Sequence, residues 1–390
     1  MTSSSSSLPP WKVNLLAVAC AVLVANLYVV QPIAELVARD LAIARERVGI
    51  LTTLPLAGYG AGLLFLAPLG DLVENRRLIL AMTAAEALAL LGLWLVGQPF
   101  VFLVVSVLAG LSASVIQVIL PYTSQLLSGP RQGRAVARLV SGVMLGIMLA
   151  RPASSFVAES LTWRTIYLIA SALMILVTFA LAFSIPARKP AGAASYRQLM
   201  TSMIGIFRTT KVLRRRAFYQ TMMFGAFIAF WTSVPLWLAR APFELSQGQI
   251  AWVAFAGVAG ALSPPIATRL VDAGHSRAAT IAVMILAMAA MTLTLAASSG
   301  HVAVIVPAAI LLDASTSAHL VIGQRAIYAL APELRSRLNA MFIATFFAGG
   351  AAASTASAWI FVHHGWNGVV VLGVAMPALA LLYRLTERAS

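Results

Sequence analysis

The 390-residue chain is 61% hydrophobic and only 10% charged, with a mean hydropathy of +0.91; a soluble domain has about a quarter of its residues charged, so the chain reads as a membrane protein. Its net charge of +15 comes from basic residues placed between apolar runs, not interleaved with aromatics on a polar face. This excludes a nucleic-acid surface and points to anionic lipid as the partner of the basic loops. The single cysteine, Cys20, lies inside the first apolar run, which rules out an intramolecular disulfide and a cysteine metal site and leaves a small core residue.

The opening MTSSSSSLPP has no charged start and no small-residue cleavage site after the next run. Residues 1–12 are therefore expected to be a disordered tail, not a removed signal. Apolar runs then recur near 13–34, 47–70, 77–97, 100–127, 134–158 and 163–185, and again near 216–239, 247–271, 278–298, 302–326, 337–361 and 366–384. Each is long enough to cross a hydrocarbon core of about 30 Å as a helix. They are too long for barrel strands of about 9–11 residues and lack sustained alternation. The fold class is thus an all-α membrane protein with twelve spans.

An even number of spans puts both termini on one side, and arginine placement chooses it. The even-numbered turns carry Arg76, Arg77, Arg131, Arg134, Arg138, Arg269, Arg277, Arg335 and Arg337; the odd ones carry Arg39, Arg45, Arg47, Arg164 and Arg240, the first three among Glu35, Asp40 and Glu46. Both termini and the long middle connection, 186–215, are therefore expected in the cytoplasm. That connection separates an N-terminal half, 13–185, from a C-terminal half, 216–385. Its Leu199, Met203, Ile206 and Phe207 share one helical face, so it is either a short helix on the inner membrane surface or a plain linker. The halves echo each other: LGDLVENRR after span two matches LVDAGHSR after span eight, each with an aspartate five residues before an arginine (Asp71 and Arg76, Asp272 and Arg277). GPRQGRAVARLV and APELRSRLNAMF likewise open the fifth span of each half. A duplication of this kind points to a transporter with its site between repeats.

The hairpin after span two also resembles the G-x-L-x-D-R-x-G-R-R loop of the major facilitator superfamily. Leu69, Asp71 and Arg76 match, whereas Ala67, Leu72, Glu74 and Asn75 depart from it. The resemblance implies two pseudo-symmetric six-helix halves and a conformational latch, with Asp71 near Arg337 and Asn339 and Asp272 near Arg134. The simpler reading is that these charges only orient the turn. SGVMLGIMLARPASSF in span five resembles the motif of the drug and sugar efflux antiporters, with Gly142 and Gly146 four apart, but it carries Arg151 where glycine is usual.

In that family spans one, four, seven and ten line the cavity. Polar and aromatic faces on them offer substrate-cavity candidates: Tyr28 and Gln31, then Gln117 and Gln125, then Phe224, Phe227 and Trp231, and finally Ser317 and Gln324, with Arg151 from span five. Helix packing is the competing explanation for each. Glu86, Arg151 and Asp313 are the ionisable residues well inside spans, and such groups mark function by default. Asp313 shares a face with Thr316, Ser317 and Gln324 and is the candidate proton-coupling carboxyl. Glu86, on a peripheral span, reads as a structural carboxyl, and His319, about 120° away from the Asp313 face, as a packed histidine.

No phosphate loop, metal spacing or nucleophile constellation is present. The expectation is therefore not an enzyme or an ATP-driven pump. It is a monomeric secondary transporter of the bacterial inner membrane that needs no cofactor, drawing on a proton gradient to export small amphipathic compounds, drugs or sugars. Uptake or facilitated diffusion of a small metabolite is the alternative within that class, and a substrate-sensing receptor on a transporter scaffold the alternative from another.

Overall fold

The computed structural model describes residues 8–190, 195–299, 301–331 and 334–387, which are helical with no strand; the serine tract lies outside them. Fifteen α-helices follow in order. The first half holds α1 (Pro10–Ala25), α2 (Val30–Asp40), α3 (Gly49–Phe65), α4 (Asn75–Leu95), α5 (Pro99–Ala113), α6 (Ile116–Gln125), α7 (Pro130–Ser160) and α8 (Trp163–Ser184). Then come α9 (Tyr196–Thr209), α10 (Lys211–Leu238), α11 (Gln247–Ala256), α12 (Ser263–Asp272), α13 (Ser276–Leu293), α14 (Ile305–Tyr328) and α15 (Arg335–Leu385).

Ten helical stretches are long and apolar enough to cross a membrane, and α1 with α2, bent by 44°, makes an eleventh. The twelfth is hidden in α15, whose 51 residues would run to about 76 Å if straight, more than twice the hydrocarbon thickness. The chain turns back at Gly365, where φ is 63°, a left-handed conformation that glycine adopts without steric cost. Beyond the turn, Trp366 stacks on Trp237 at 4.3 Å and donates to Thr294, so the last limb lies against α10 and α13.

Several spans are interrupted. The first breaks between α1 and α2, the fourth between α5 and α6, and the eighth at the 3-10 turn Gly257–Leu262. Tight approaches of backbones hold neighbouring spans together. A Cβ on Gly142 or Gly146 of α7 would fall 2.4 Å from the Ala17 carbonyl oxygen or 2.1 Å from that of Ala21 on α1. This is the small-residue packing that lets helices associate where there is no hydrophobic drive between them.

One face carries both chain ends and the other carries the odd-numbered turns. On the latter, the opposite face, the halves close tightly. Thr53 Oγ1 of α3 lies 2.7 Å from Thr355 Oγ1 of α15 and donates to the Ala351 carbonyl, and the Thr52 and Ser354 hydroxyls bond beside them. Gly49 is seated so close that an added Cβ would be 2.7 Å from Ala358 Cβ. Glu35 pairs with Arg240 at 3.7 Å, and the Gly248 N–H donates to Glu159. On the terminal face the halves part around a cavity of about 480 Å³.

The middle connection forms α9, begun by a Ser195–Gln198 capping box. Leu199 and Met203 are buried and line the cavity, Tyr196 bonds the Phe65 carbonyl, and Ser202 receives Arg337. Of the two readings, surface helix or plain linker, the connection forms a helix, and Leu199 and Met203 on its apolar face are turned onto protein.

Two outcomes follow from this packing. Gly146→Ala forces a Cβ into the α1 backbone and should cost about 1–3 kcal/mol, seen as a lower Tm, whereas Gly133→Ala, with open space around it, should leave Tm unchanged or raise it; equal effects would refute the close approach. In a Cys20-free protein carrying a protease site in the 186–195 connection, Thr53→Cys with Thr355→Cys should oxidise to a bond that keeps the cut halves joined on a non-reducing gel. Halves that separate would contradict the closed face.

Candidate functional site

The residues that matter most meet between the halves, beside the helix breaks. Arg151 sits on α7 with 3% of its surface exposed. Its Nε donates to Gln31 Oε1 at 2.7 Å. The guanidinium lies over three rings, at 5.1 Å from Tyr28, 5.0 Å from Phe227 and 4.5 Å from Trp231. Tyr28 falls in the break between α1 and α2 and Gln31 in the first turn after it, so the interruption aims both at α7. Phe227 and Trp231 are four apart on α10 and share a face.

Trp231 also reaches the other way. Its Nε1 donates to Asp313 Oδ1 of α14 at 2.8 Å, placing one indole between the only charges of the cluster, Arg151 and Asp313. The backbone of the eighth span comes unusually close here. A Cβ on Gly257 would stand 2.9 Å from both Asp313 Oδ2 and Trp231 Cζ2, and one on Gly260 would stand 2.5 Å from Asp313 Cβ. Only glycine at both positions lets the 3-10 turn pass.

Magnitudes explain why no single partner suffices. Burying an isolated charge costs several kcal/mol even after relaxation, while a desolvated cation–π contact gives about 2 kcal/mol and a hydrogen bond to a charged group about 1.5–3 kcal/mol. Three rings, one amide and a nearby carboxylate together are of the size needed. Since Tyr28 and Gln31 belong to one half and Phe227, Trp231 and Asp313 to the other, the charge is satisfied only while the halves are in contact.

A row of rings separates this cluster from the cavity. Phe227 stacks on Phe224 (5.7 Å), Phe224 meets Phe347 (5.0 Å), and Phe347 meets Tyr59 (4.5 Å). Tyr59 receives a long 3.5 Å bond from Gln117, which accepts from Asn339, which accepts from Gln324. Gln117, Gln125 and Asn339 line the cavity. Ser317 is half-buried and makes no hydrogen bond among the described residues.

The residues of the expected latch are brought only partly together. Asp71 lines the same cavity as Arg337 and Asn339 but forms no hydrogen bond or ion pair among the described residues, since Arg337 turns to Ser202 and Asn339 to Gln117. The parted terminal face holds the aspartate away from its expected partners. Asn75, four residues on, instead joins Gly70 and Arg188, and Arg76 donates to the Ala182 carbonyl. Asp272 pairs with Arg325 of its own half, not with Arg134, which lines a separate hollow with Leu8, Pro9 and Val13; Arg277 is exposed. The remaining intramembrane groups are bonded: Asn26 donates to Glu86 at 2.7 Å, and His319 Nδ1 donates to Gln220 at 2.6 Å.

Sequence reasoning passed over Gly257, Gly260, Ser155, Tyr59 and Phe347. The glycine pair had a visible signal, the GVAG step inside an apolar span; the other three look like ordinary lining until the halves are assembled.

Known proteins place this architecture. Residues 16–312 match the Major Facilitator Superfamily. The transporter YgaY of Escherichia coli strain K12 is 34% identical over 385 residues, 98% of this chain and 97% of that protein. A probable transporter of Streptomyces coelicolor, SCO4007, is 29% identical over 94% of this chain and 85% of its own. The crystal structure of the nucleoside transporter NupG shares the fold with a TM-score of 0.77 at 12% identity, over 96% of this chain and 98% of that one. With a matching profile over most of its length, full-length relatives and twelve spans in two halves, the chain belongs to the Major Facilitator Superfamily of membrane transporters.

Proposed function

We propose that this transporter is a proton-coupled exporter of small amphipathic molecules in a bacterial inner membrane, working by alternating access with both termini in the cytoplasm. The observation that supports it best is the Arg151, Trp231 and Asp313 cluster, a dry charge pair shared between the halves. Asp313 faces Arg151 from α7 and Tyr28 from the α1–α2 break, with Trp231 between. When the parting on one side or the other extends past the ring row to this depth, water reaches this carboxyl from that side. A carboxyl that is alternately dried and wetted takes up a proton at one face and releases it at the other. The cavity on the terminal face is where an exporter loads from the cytoplasm.

In this reading Asp71 is a latch that is open here. Closing the terminal face brings Arg337 and Asn339 across the cavity to it, at a helix start that favours a carboxylate, with Asp272 and Arg134 doing the same in the other half. Since alternating access needs both states populated, Asp71→Asn should cut transport severalfold while leaving folded yield near normal; unchanged turnover would remove the latch.

Asp313→Asn keeps the shape and removes the titration. In proteoliposomes challenged with a panel of dyes, sugars and amino acids under an imposed pH gradient, the variant should lose gradient-driven transport and retain solute exchange. Gradient-driven transport equal to that of the original protein would show that Asp313 does not couple protons. Sidedness is checked separately: in a Cys20-free background, Ser195→Cys should react with a membrane-impermeant thiol reagent only after the cell is opened, and labelling in intact cells would reverse the topology.

A further inference from the structure

Inside the Arg151 cluster, hydrogen-bonding capacity is unspent, and it is unspent with opposite sign at two ends. At one end, Arg151 Nη2, Gln31 Nε2 and Ser155 Oγ are all buried without a partner. Arg151 and Ser155 are four apart on one face of α7. The Gln31 amide is fixed in orientation, because a guanidinium only donates and must meet its oxygen, so the free Nε2 is a donor on the same amide that Arg151 Nε engages. An orphaned buried donor costs about 1–3 kcal/mol, more where charged, and a carboxylate, which only accepts, is the group whose chemistry suits all three. At the other end, Asp313 holds Trp231 with Oδ1, while Oδ2 has no hydrogen bond among the described residues and lies against the backbone of Gly257, where any side chain would crowd it. Between the two ends lie the rings of Tyr28, Phe227 and Trp231.

We infer that the substrate is a zwitterion with an apolar, ring-bearing body: its carboxylate docks on Arg151, Gln31 and Ser155, its ammonium on Asp313 Oδ2, and its body on the aromatic walls. Charge balance selects this class over molecules with one charge. Arg151 and Asp313 sum to zero, and a zwitterion keeps the sum at zero, whereas a lone cation or anion leaves a net charge in a dry site, which is costly. The inference rests on the proposed transporter reading and deepens it. An ammonium needs Asp313 ionised, so substrate and proton exclude each other there, as exchange requires.

The test is an equilibrium titration of the purified protein, near neutral pH and without any gradient, following tryptophan fluorescence, with three phenyl-bearing probes that carry both charged groups or one of them: phenylalanine, phenylethylamine and phenylpropanoate. The expected result is phenylalanine binding at least about tenfold more tightly than either analogue, one lost ion contact being worth about 1.4 kcal/mol. Arg151→Gln should bring phenylalanine down to phenylethylamine, and Asp313→Asn should bring it down to phenylpropanoate. Should Arg151→Gln fail to fold, Arg151→Lys, which keeps the charge, should retain the preference for the zwitterion. An analogue that binds as tightly as phenylalanine, or no binding by any of the three, overturns the inference. If ethidium then drives proton movement that depends on Asp313 while phenylalanine does not bind, the exporter reading stands and the zwitterion assignment alone falls.

Discussion

A guanidinium held dry between two half-proteins is the constraint from which the rest of this structure is best understood. Arg151 cannot be solvated where it lies, so each neighbouring element must supply something to it. The α1–α2 break presents Tyr28 and Gln31, α10 presents Phe227 and Trp231, and α14 supplies the compensating carboxylate through the indole. None of these belongs to the same span as Arg151. The charge therefore acts as a fastener between halves, and its partners are the groups whose contacts must be exchanged when the halves rock.

Small residues set the distances that make this possible. Gly142 and Gly146 bring α7 against α1, which fixes how far Arg151 stands from Gln31. Gly257 and Gly260 let the interrupted eighth span lie on Asp313 without a side chain intervening. Gly49 seats the start of α3 on α15 and seals the opposite face. Breaks and glycines are unfavourable in isolated helices, and here they occur where a backbone must approach a charged or polar group. In transporters generally, irregular backbone at membrane depth is tolerated where it faces a site.

Much of this was legible before folding. Apolar run lengths carried the span count, although the eleventh and twelfth spans merge into one helix except at Gly365. The scarcity of intramembrane charge singled out Arg151, Asp313 and Glu86, and helical phase chose Tyr28, Gln31, Phe227 and Trp231; these four meet Arg151, and Asp313 meets the Trp231 indole. What sequence periodicity does not carry is the pairing of faces. It gave no sign that Trp231 would stand between Arg151 and Asp313, or that Ser155 would be left without a partner. The latch contacts differ for another reason: a resemblance describes a contact made in one conformation, and with the terminal face parted Asp71 has no bonded partner among the described residues while Asp272 turns to Arg325. Nor does apolar periodicity say which neighbour α9 faces, because it is the same whether that neighbour is lipid or protein.

If the Arg151 and Asp313 pair governs which face is open, the halves should respond at both faces together when the carboxyl is titrated. Spin labels at Arg131 and Ala329 report the terminal face, and labels at Gln98 and Glu244 the opposite one; all four positions are exposed. Pulsed electron–electron distances recorded across a pH series should show one pair lengthening as the other shortens, with both changes absent when Asp313 is replaced by asparagine. Opposed distance changes that persist unaltered in that variant would contradict the account, because the switch between faces would then reside elsewhere in the molecule.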